Sequence, residues 1–259
     1  MNTYKTAEIA HRIGIHPNTV RLYEELGLIP RAKRASNGYR VFTDFHLEQI
    51  KFARTAMEVE IIQSGLRRKA IEIIKSSTAG DFDRALALTN DYLLQIEKEI
   101  TSAEEAISIV ERLLSGRELE LQPKAKADQL CLTRQETADR LQITMDALRN
   151  WEMNGLLTVK RKQNGYRVYT AEDLQRLIVI RSLRSANYSL AAILRMLRAL
   201  YSDPEANLRE VIDTPGEDDD IVSVCDKLLT SLQAAETNAL QMLVQLGQMK
   251  KRFGSNPTL

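Results

Sequence analysis

The chain has little cysteine, few aromatic residues and no long apolar stretch. Two cysteines among 259 residues, Cys131 and Cys225, are too few for a disulfide framework and fit a reducing cytoplasm. No apolar run approaches the ~18 residues that a membrane span needs, and residues 1–6 carry no signal-peptide pattern. A cytoplasmic protein without a membrane partner is the expectation. Catalytic constellations are missing too. The three histidines (His11, His16, His46) all fall near the start of the chain, with no phosphate loop, nucleophile elbow or His-Glu-x-x-His motif. No enzyme and no cofactor are expected.

What is present is a repeat. Asn37-Gly38-Tyr39-Arg40-Val41 returns unchanged as Asn164-Gly165-Tyr166-Arg167-Val168, 127 positions later. Each copy follows a basic run (Arg31-Ala32-Lys33-Arg34; Lys160-Arg161-Lys162) and precedes an aromatic and a threonine. Upstream, Glu8, Ala10, Ile13, Ile15, Val20, Arg21, Tyr23, Glu24, Gly27 and Leu28 match Glu136, Ala138, Leu141, Ile143, Leu148, Arg149, Trp151, Glu152, Gly155 and Leu156 at an offset of 128. The second hairpin is therefore one residue shorter. Charge follows the same division. Residues 1–55 hold nine basic against five acidic side chains, and residues 129–200 twelve against six. Two modules of net +4 and +6 leave −9 for the remainder if the whole is to reach +1. Two basic modules on an acidic frame imply two contacts with a polyanion.

The first copy reads as helix, glycine turn, helix. Thr6 is suited to cap a helix with Ile9, Ala10 and Ile13 on one face, Gly14 makes the turn, Pro17 opens the second helix and Gly27 ends it. That is a helix-turn-helix layout. The alternation in 31–41 about Asn37-Gly38 predicts a two-stranded hairpin, or wing. Thr43-Asp44 caps a covering helix with Phe45, Leu47, Ile50 and Phe52. A helical stretch around 54–75 ends before Gly80. In the second copy, Thr133-x-x-Glu136 and Thr170-x-x-Asp173 have the form of capping boxes.

Each copy leads into a long heptad pattern. The first seam is Leu86, Thr89, Leu93, Ile96, Ile100, Ala103, Ile107, Val110 and Leu114, spoiled only by Thr89; Gly116 and Pro123 close it. The second is Ile221, Cys225, Leu228, Leu232, Ala235, Ala239, Met242, Leu246 and Met249, preceded by Asp218-Asp219-Asp220, whose charge favours a helix N-terminus. Both seams span 28 residues, about 42 Å at ~1.5 Å per residue. The expected fold is mainly α: a first winged helix-turn-helix domain over 1–80, a coiled-coil helix over 81–116, a linker over 117–131, a second such domain over 132–217 and a second long helix over 218–253. The ~15-residue linker, reaching at most about 50 Å, favours antiparallel pairing of the two helices as an internal pseudo-dimer. Pairing between chains is the alternative.

Val20-Arg21-Leu22-Tyr23-Glu24-Glu25-Leu26-Gly27-Leu28, with Asn37-Gly38-Tyr39-Arg40 and Thr43, resembles the MerR family of bacterial transcription regulators. The likeness covers 4–75 and, more loosely through Leu148-Arg149-Asn150-Trp151-Glu152-Met153-Asn154-Gly155, residues 132–200. It implies a helix-turn-helix plus wing that binds double-stranded promoter DNA of unfavourable spacing. Family members bend and untwist that DNA for RNA polymerase holoenzyme, usually in response to a small-molecule effector. Ordinary members carry one module and dimerise; two modules in one chain make a monomeric pseudo-dimer the expectation, nucleoid-associated in the cytoplasm. An effector would bind near 54–80 and 181–220.

The second helix of each module should enter the major groove. Asn18, Thr19 and Arg21 are the candidates in the first, Asp146 and Arg149 in the second, with Tyr23 and Trp151 serving either as phosphate donors or as core aromatics. For Arg21 and Arg149 the alternative is a salt bridge to Glu24, Glu25 or Glu152. By the resemblance, Tyr39, Arg40, Tyr166 and Arg167 contact phosphates, with Lys33, Arg34, Lys160 and Arg161 adding charge. The helix starts differ, His16-Pro17-Asn18-Thr19 against Thr144-Met145-Asp146-Ala147, so unequal half-sites are expected. An architectural or segregation protein that bends or bridges DNA is the alternative function. A second module that binds protein is a further one. No metal site is expected: the thiol pair Cys131 and Cys225 lacks further ligands, and Cys225 falls on the seam, where it acts as a small hydrophobe.

Overall fold

The computed structural model describes residues 2–58, 65–115, 131–161, 165–203, 206–214 and 227–254. The expected linker apart from Cys131, the residues Gly116 and Pro123, Lys162 and Asn164 of the second wing, and Asp218–Asp220, Ile221 and Cys225 lie outside them. The chain forms two compact units, Met1–Lys98 with Leu232–Leu259, and Glu99–Ser231.

In the first unit, α1 (Thr6–Ile13) and α2 (Pro17–Glu25) meet across Gly14, whose φ of 73° is left-handed and suits glycine. The predicted cap is corrected by one residue: Thr6 is already helical, and Lys5 is the cap, its N–H donating to Glu8 Oε2 at 2.7 Å. His16 caps α2, accepting the Asn18 N–H on its Nδ1 at 3.2 Å. Strands β2 (Lys33–Arg34) and β3 (Arg40–Thr43) form the wing. A third strand, β1 (Thr3–Tyr4), pairs with the far edge of β3, Tyr4 opposite Phe42. Tyr4, Ile9, Ala10, Val20, Ile29, Phe42, Leu47 and Ile50 make one core.

Helices α3 (Asp44–Met57) and α4 (Leu66–Thr78) close over that core. Buried Gln49 joins them: its amide nitrogen lies 3.2 Å from Leu28 O, 3.1 Å from Ile74 O and 2.9 Å from Thr78 Oγ1, and its oxygen accepts from Ser77 Oγ at 2.8 Å. A buried amide is tolerated because both its ends are bonded. The long helix α5 runs Phe82–Leu114. Within this unit Phe45 meets Phe82 edge-on at 6.2 Å and Phe253 at 5.2 Å, Arg252 pairs with Asp44 at 3.2 Å, and Lys250 pairs with Asp83.

The second unit has its own helix pair, α6 (Arg134–Leu141) and α7 (Met145–Met153). Both expected capping boxes form: Thr133 N–H and Thr170 N–H donate to Glu136 and Asp173, each at 2.8 Å. At the turn, Gln142 takes the left-handed conformation (φ 52°) that Gly14 takes in the first copy. The wing is β4 (Lys160–Arg161) with β5 (Arg167–Val168), and a Leu132–Tyr169 bridge stands where β1 pairs in the first unit. Helices α8 (Ala171–Ser185), α9 (Leu190–Ser202) and α10 (Leu208–Asp213) follow. Arg176 Nε donates to Leu156 O at 2.7 Å, which is what Gln49 does for Leu28 at the matching positions. Arg209 pairs with Glu104 at 2.9 Å and Asn187 Nδ2 donates to Glu99 at 3.1 Å, so the second half of α5 belongs to this unit.

The last helix, α11, runs Leu228–Phe253, and its described seam residues Leu228, Leu232, Ala235, Ala239, Met242, Leu246 and Met249 are all buried. On α5 the buried face is offset from the predicted seam. Thr89, Ile96, Ala103, Ile107 and Val110 are inside with Phe82, Ala85, Tyr92 and Ala106, but Leu114 is half exposed. Thr89 does not spoil this face, because its hydroxyl donates to Ala85 O at 2.7 Å.

Candidate nucleic-acid interface

In the first module the outer face of α2 carries Asn18 and Arg21, both exposed, and half-buried Thr19. Arg21 Nη1 donates to Asn18 Oδ1 at 3.0 Å, one turn away, so the two form a single polar unit on the helix surface. Tyr23 is half-buried and packs on the core cluster. In the second module Asp146 and Arg149 are exposed on α7. Trp151, with 6% of its surface exposed, packs as a core aromatic, one of the two roles expected for it.

The described residues of the two wings share several features. Gly38 and Gly165 both have φ of 81°, a conformation that a Cβ strains. Asn37 Oδ1 accepts the Tyr39 N–H at 3.2 Å, and Arg34 Nη1 donates to Gly38 O at 3.0 Å. Arg161 Nη1 reaches Gly165 O at 3.5 Å in the same way. Tyr39 and Tyr166 are 71% and 73% exposed, high for so large a ring, with Lys33, Arg34, Lys160 and Arg161 exposed beside them.

Arg40 and Arg167 sit differently. Arg40 Nε lies 2.6 Å from Glu24 Oε2, and Arg167 Nε lies 2.8 Å from Glu152 Oε2. Glu24 and Glu152, two of the three acids named as alternative partners for Arg21 and Arg149, are therefore engaged by wing arginines. Glu24 also accepts the Ala32 N–H at 2.9 Å, at the entry to the wing. Glu152 has two further partners, Arg134 Nη2 at 2.8 Å and the Tyr169 hydroxyl. Burial first, then donation to Glu152, pushes the Tyr169 phenol up to about 12, and Arg134 is raised by its bond to Tyr169 with help from the Glu152 charge.

Arg134 was not legible as a site residue. It stands opposite Thr6 in the repeat, so the alignment of the two copies gives it no match. It nonetheless lines a cavity of about 340 Å³ together with Cys131, Tyr166, Arg167 and Val168. Cys131 is exposed. Cys225 lies outside the described residues, among which no cluster of three metal-ligating side chains occurs.

Two family models match: one described as MerR family regulatory protein at 5–42, the other as MerR HTH family regulatory protein at 132–200. The mercuric resistance operon regulatory protein of Bacillus cereus is 32% identical over 56 residues, 22% of this chain and 42% of that one. The HTH-type transcriptional regulator YfmP of Bacillus subtilis is 36% identical over 59 residues (23% and 42%), and CueR of Salmonella typhi 36% over 53 (20% and 38%). The matched segment spans about two fifths of each of these relatives. No solved structure matches the chain significantly. This chain thus carries two modules of the MerR family in tandem, one at 5–42 and one at 132–200.

Proposed function

We propose that this protein is a sequence-specific transcription regulator that binds promoter DNA as a single-chain pseudo-dimer. Each module reads one half-site, and the DNA between is distorted. The observation that carries the reading is the pairing of like wings with unlike recognition helices. Tyr39 and Tyr166 are both exposed beside a left-handed glycine, whereas Asn18 and Thr19 are replaced on α7 by Asp146 and Ala147, with Arg21 and Arg149 common to both. Phosphate contacts position a protein without reading sequence, and base contacts specify. One kind of clamp with two readers therefore calls for an imperfect palindrome. Asp146 accepts from a cytosine amine in preference to facing a phosphate.

Antiparallel pairing of α5 with α11 is supported by contacts within the first unit, where Lys250 near the end of α11 meets Asp83 near the start of α5. RNA polymerase holoenzyme and a small-molecule effector are the proposed partners, and the cytoplasm, at the nucleoid, the proposed location. Selection of binding sites from a random pool, followed by footprinting, tests the reading. Two unlike half-sites are expected, each sensitive to scrambling to a different degree. A perfect palindrome with equal sensitivity would count against it. In vitro transcription from the selected site separates a regulator from a purely architectural protein.

A further inference from the structure

We propose that Glu24 and Glu152 are positioning residues that aim the wing arginines at DNA phosphates, an inference that rests on the DNA-binding reading above. The same atom is held in both modules: Nε of Arg40 at 2.6 Å and Nε of Arg167 at 2.8 Å. A guanidinium presents five N–H groups in one plane, and a carboxylate on Nε leaves terminal nitrogens for a second acceptor on the outer side. The acids themselves are fixed. Their side chains are only 11% and 9% exposed, against 26% and 35% for the arginines they hold. Glu24 is held by the Ala32 N–H, and Glu152 by Arg134 and the Tyr169 hydroxyl.

Each acid sits on the recognition helix and grips the returning strand of the wing. The two DNA-facing elements of a module are thereby set at one spacing before DNA arrives. An arginine anchored at Nε loses less rotamer freedom on meeting a phosphate than a free one does. The unexpected feature is the sign of the charge. A carboxylate beside a surface that meets a polyanion repels it by simple electrostatics, so its presence in both copies at the same register asks for a compensating role. The two modules reach this arrangement with different supports, a backbone amide in one and an arginine and a tyrosine in the other. What is common to both is the bond to Nε.

The alternative is that the acid competes with DNA for the arginine, so that binding must break the pair. The two ideas predict opposite signs. The test measures the full chain by fluorescence anisotropy on a labelled duplex of arbitrary sequence, about 30 base pairs long and at low salt, because phosphate contacts carry no sequence information. Glu24→Gln keeps the shape and an oxygen for the Ala32 N–H but removes the charge that holds Arg40. Positioning predicts affinity weaker by about 3–10-fold, the scale of one misdirected charge-assisted bond. Arg40→Ala should lose at least as much, with the salt slope reduced by about 0.9. The double variant should bind no worse than Arg40→Ala alone, and Glu152→Gln should repeat the result independently. If Glu24→Gln binds as well as or more tightly than the wild type, the inference is overturned while the DNA-binding reading stands. A wild-type chain that binds no duplex removes both. Should Glu24→Gln fail to fold, Arg40→Lys decides. It keeps the charge without the Nε anchor and should lose affinity to a similar degree, whereas unchanged binding would overturn the inference.

Discussion

Replacing Phe45 by alanine tests the packing that joins the first module to the long helices. Its ring is 1% exposed and meets two other aromatics edge-on, Phe82 at the start of α5 and Phe253 at the end of α11. Those partners are themselves buried, and the neighbouring Asp44–Arg252 pair covers the same corner. The contact is therefore closed on every described side, and a cavity left there cannot collapse easily. Removing a buried phenylalanine from such a site costs about 3–5 kcal/mol. For a unit of roughly 120 residues that is a fall in melting temperature of about 10–15 °C. Phe253→Ala, in the last turn of α11, should cost less, about 2 kcal/mol, because a helix end relaxes into the gap. The two should be non-additive, since they share one contact. Urea titration followed by far-ultraviolet circular dichroism gives the unfolding free energies of the two single variants and of the double variant. A loss below about 1 kcal/mol for Phe45→Ala, or full additivity with Phe253→Ala, would refute this packing.

Gln142→Gly should stabilise the protein by about 1 kcal/mol, because Gln142 holds a left-handed conformation that costs a side chain this much; a lower unfolding midpoint would contradict it. Acid should weaken the first unit in two steps. Burial lowers the pKa of His46, so the unfolded chain takes the proton first, and the contribution is complete above about 6.5 and lost as pH falls below it. Burial works to raise Asp44, but hydrogen bonds from Tyr4 and Asn2 and the Arg252 charge outweigh it and hold it low, so its contribution disappears below about 3.8. Urea midpoints at pH 7.5 and 5.5 should therefore decline in the wild type and flatten in His46→Gln; a decline that persists in the variant would remove His46 from the account. Arg149→Ala should lower affinity for an arbitrary duplex and cut the salt slope by about 0.9 if it meets a phosphate. An unchanged slope together with unchanged affinity favours a second module that binds protein.

The elements that were legible in the sequence are those with a local cause. Gly14, Gly38 and Gly165 mark turns because their φ is left-handed, and Thr133 and Thr170 mark helix starts because their partners lie three residues on. The α11 seam was legible because every described member of its heptad is inside. What escaped depends on the third dimension. The two-residue strand β1 is too short to alternate, and pairs only because β3 lies beside it. The offset of the buried face on α5 reflects which neighbours cover it, so Tyr92 is buried and Leu114 is half exposed. Trp151 and Tyr23 occupy matching positions but are buried to different degrees, which no periodicity reveals. At the interface the repeat marked Glu24, Arg40, Glu152 and Arg167 separately. That each acid holds an arginine at Nε follows only when helix and wing are brought together. Arg134 has no counterpart in the first copy and became visible only through its bond to Glu152.

On the proposed reading, one chain supplies both DNA-binding modules to a single operator. Sedimentation equilibrium of the full chain on its selected duplex tests it most directly. The account predicts one chain per duplex across both half-sites, unchanged as protein concentration rises. Two chains per duplex at saturation, with each chain using one module, would contradict it.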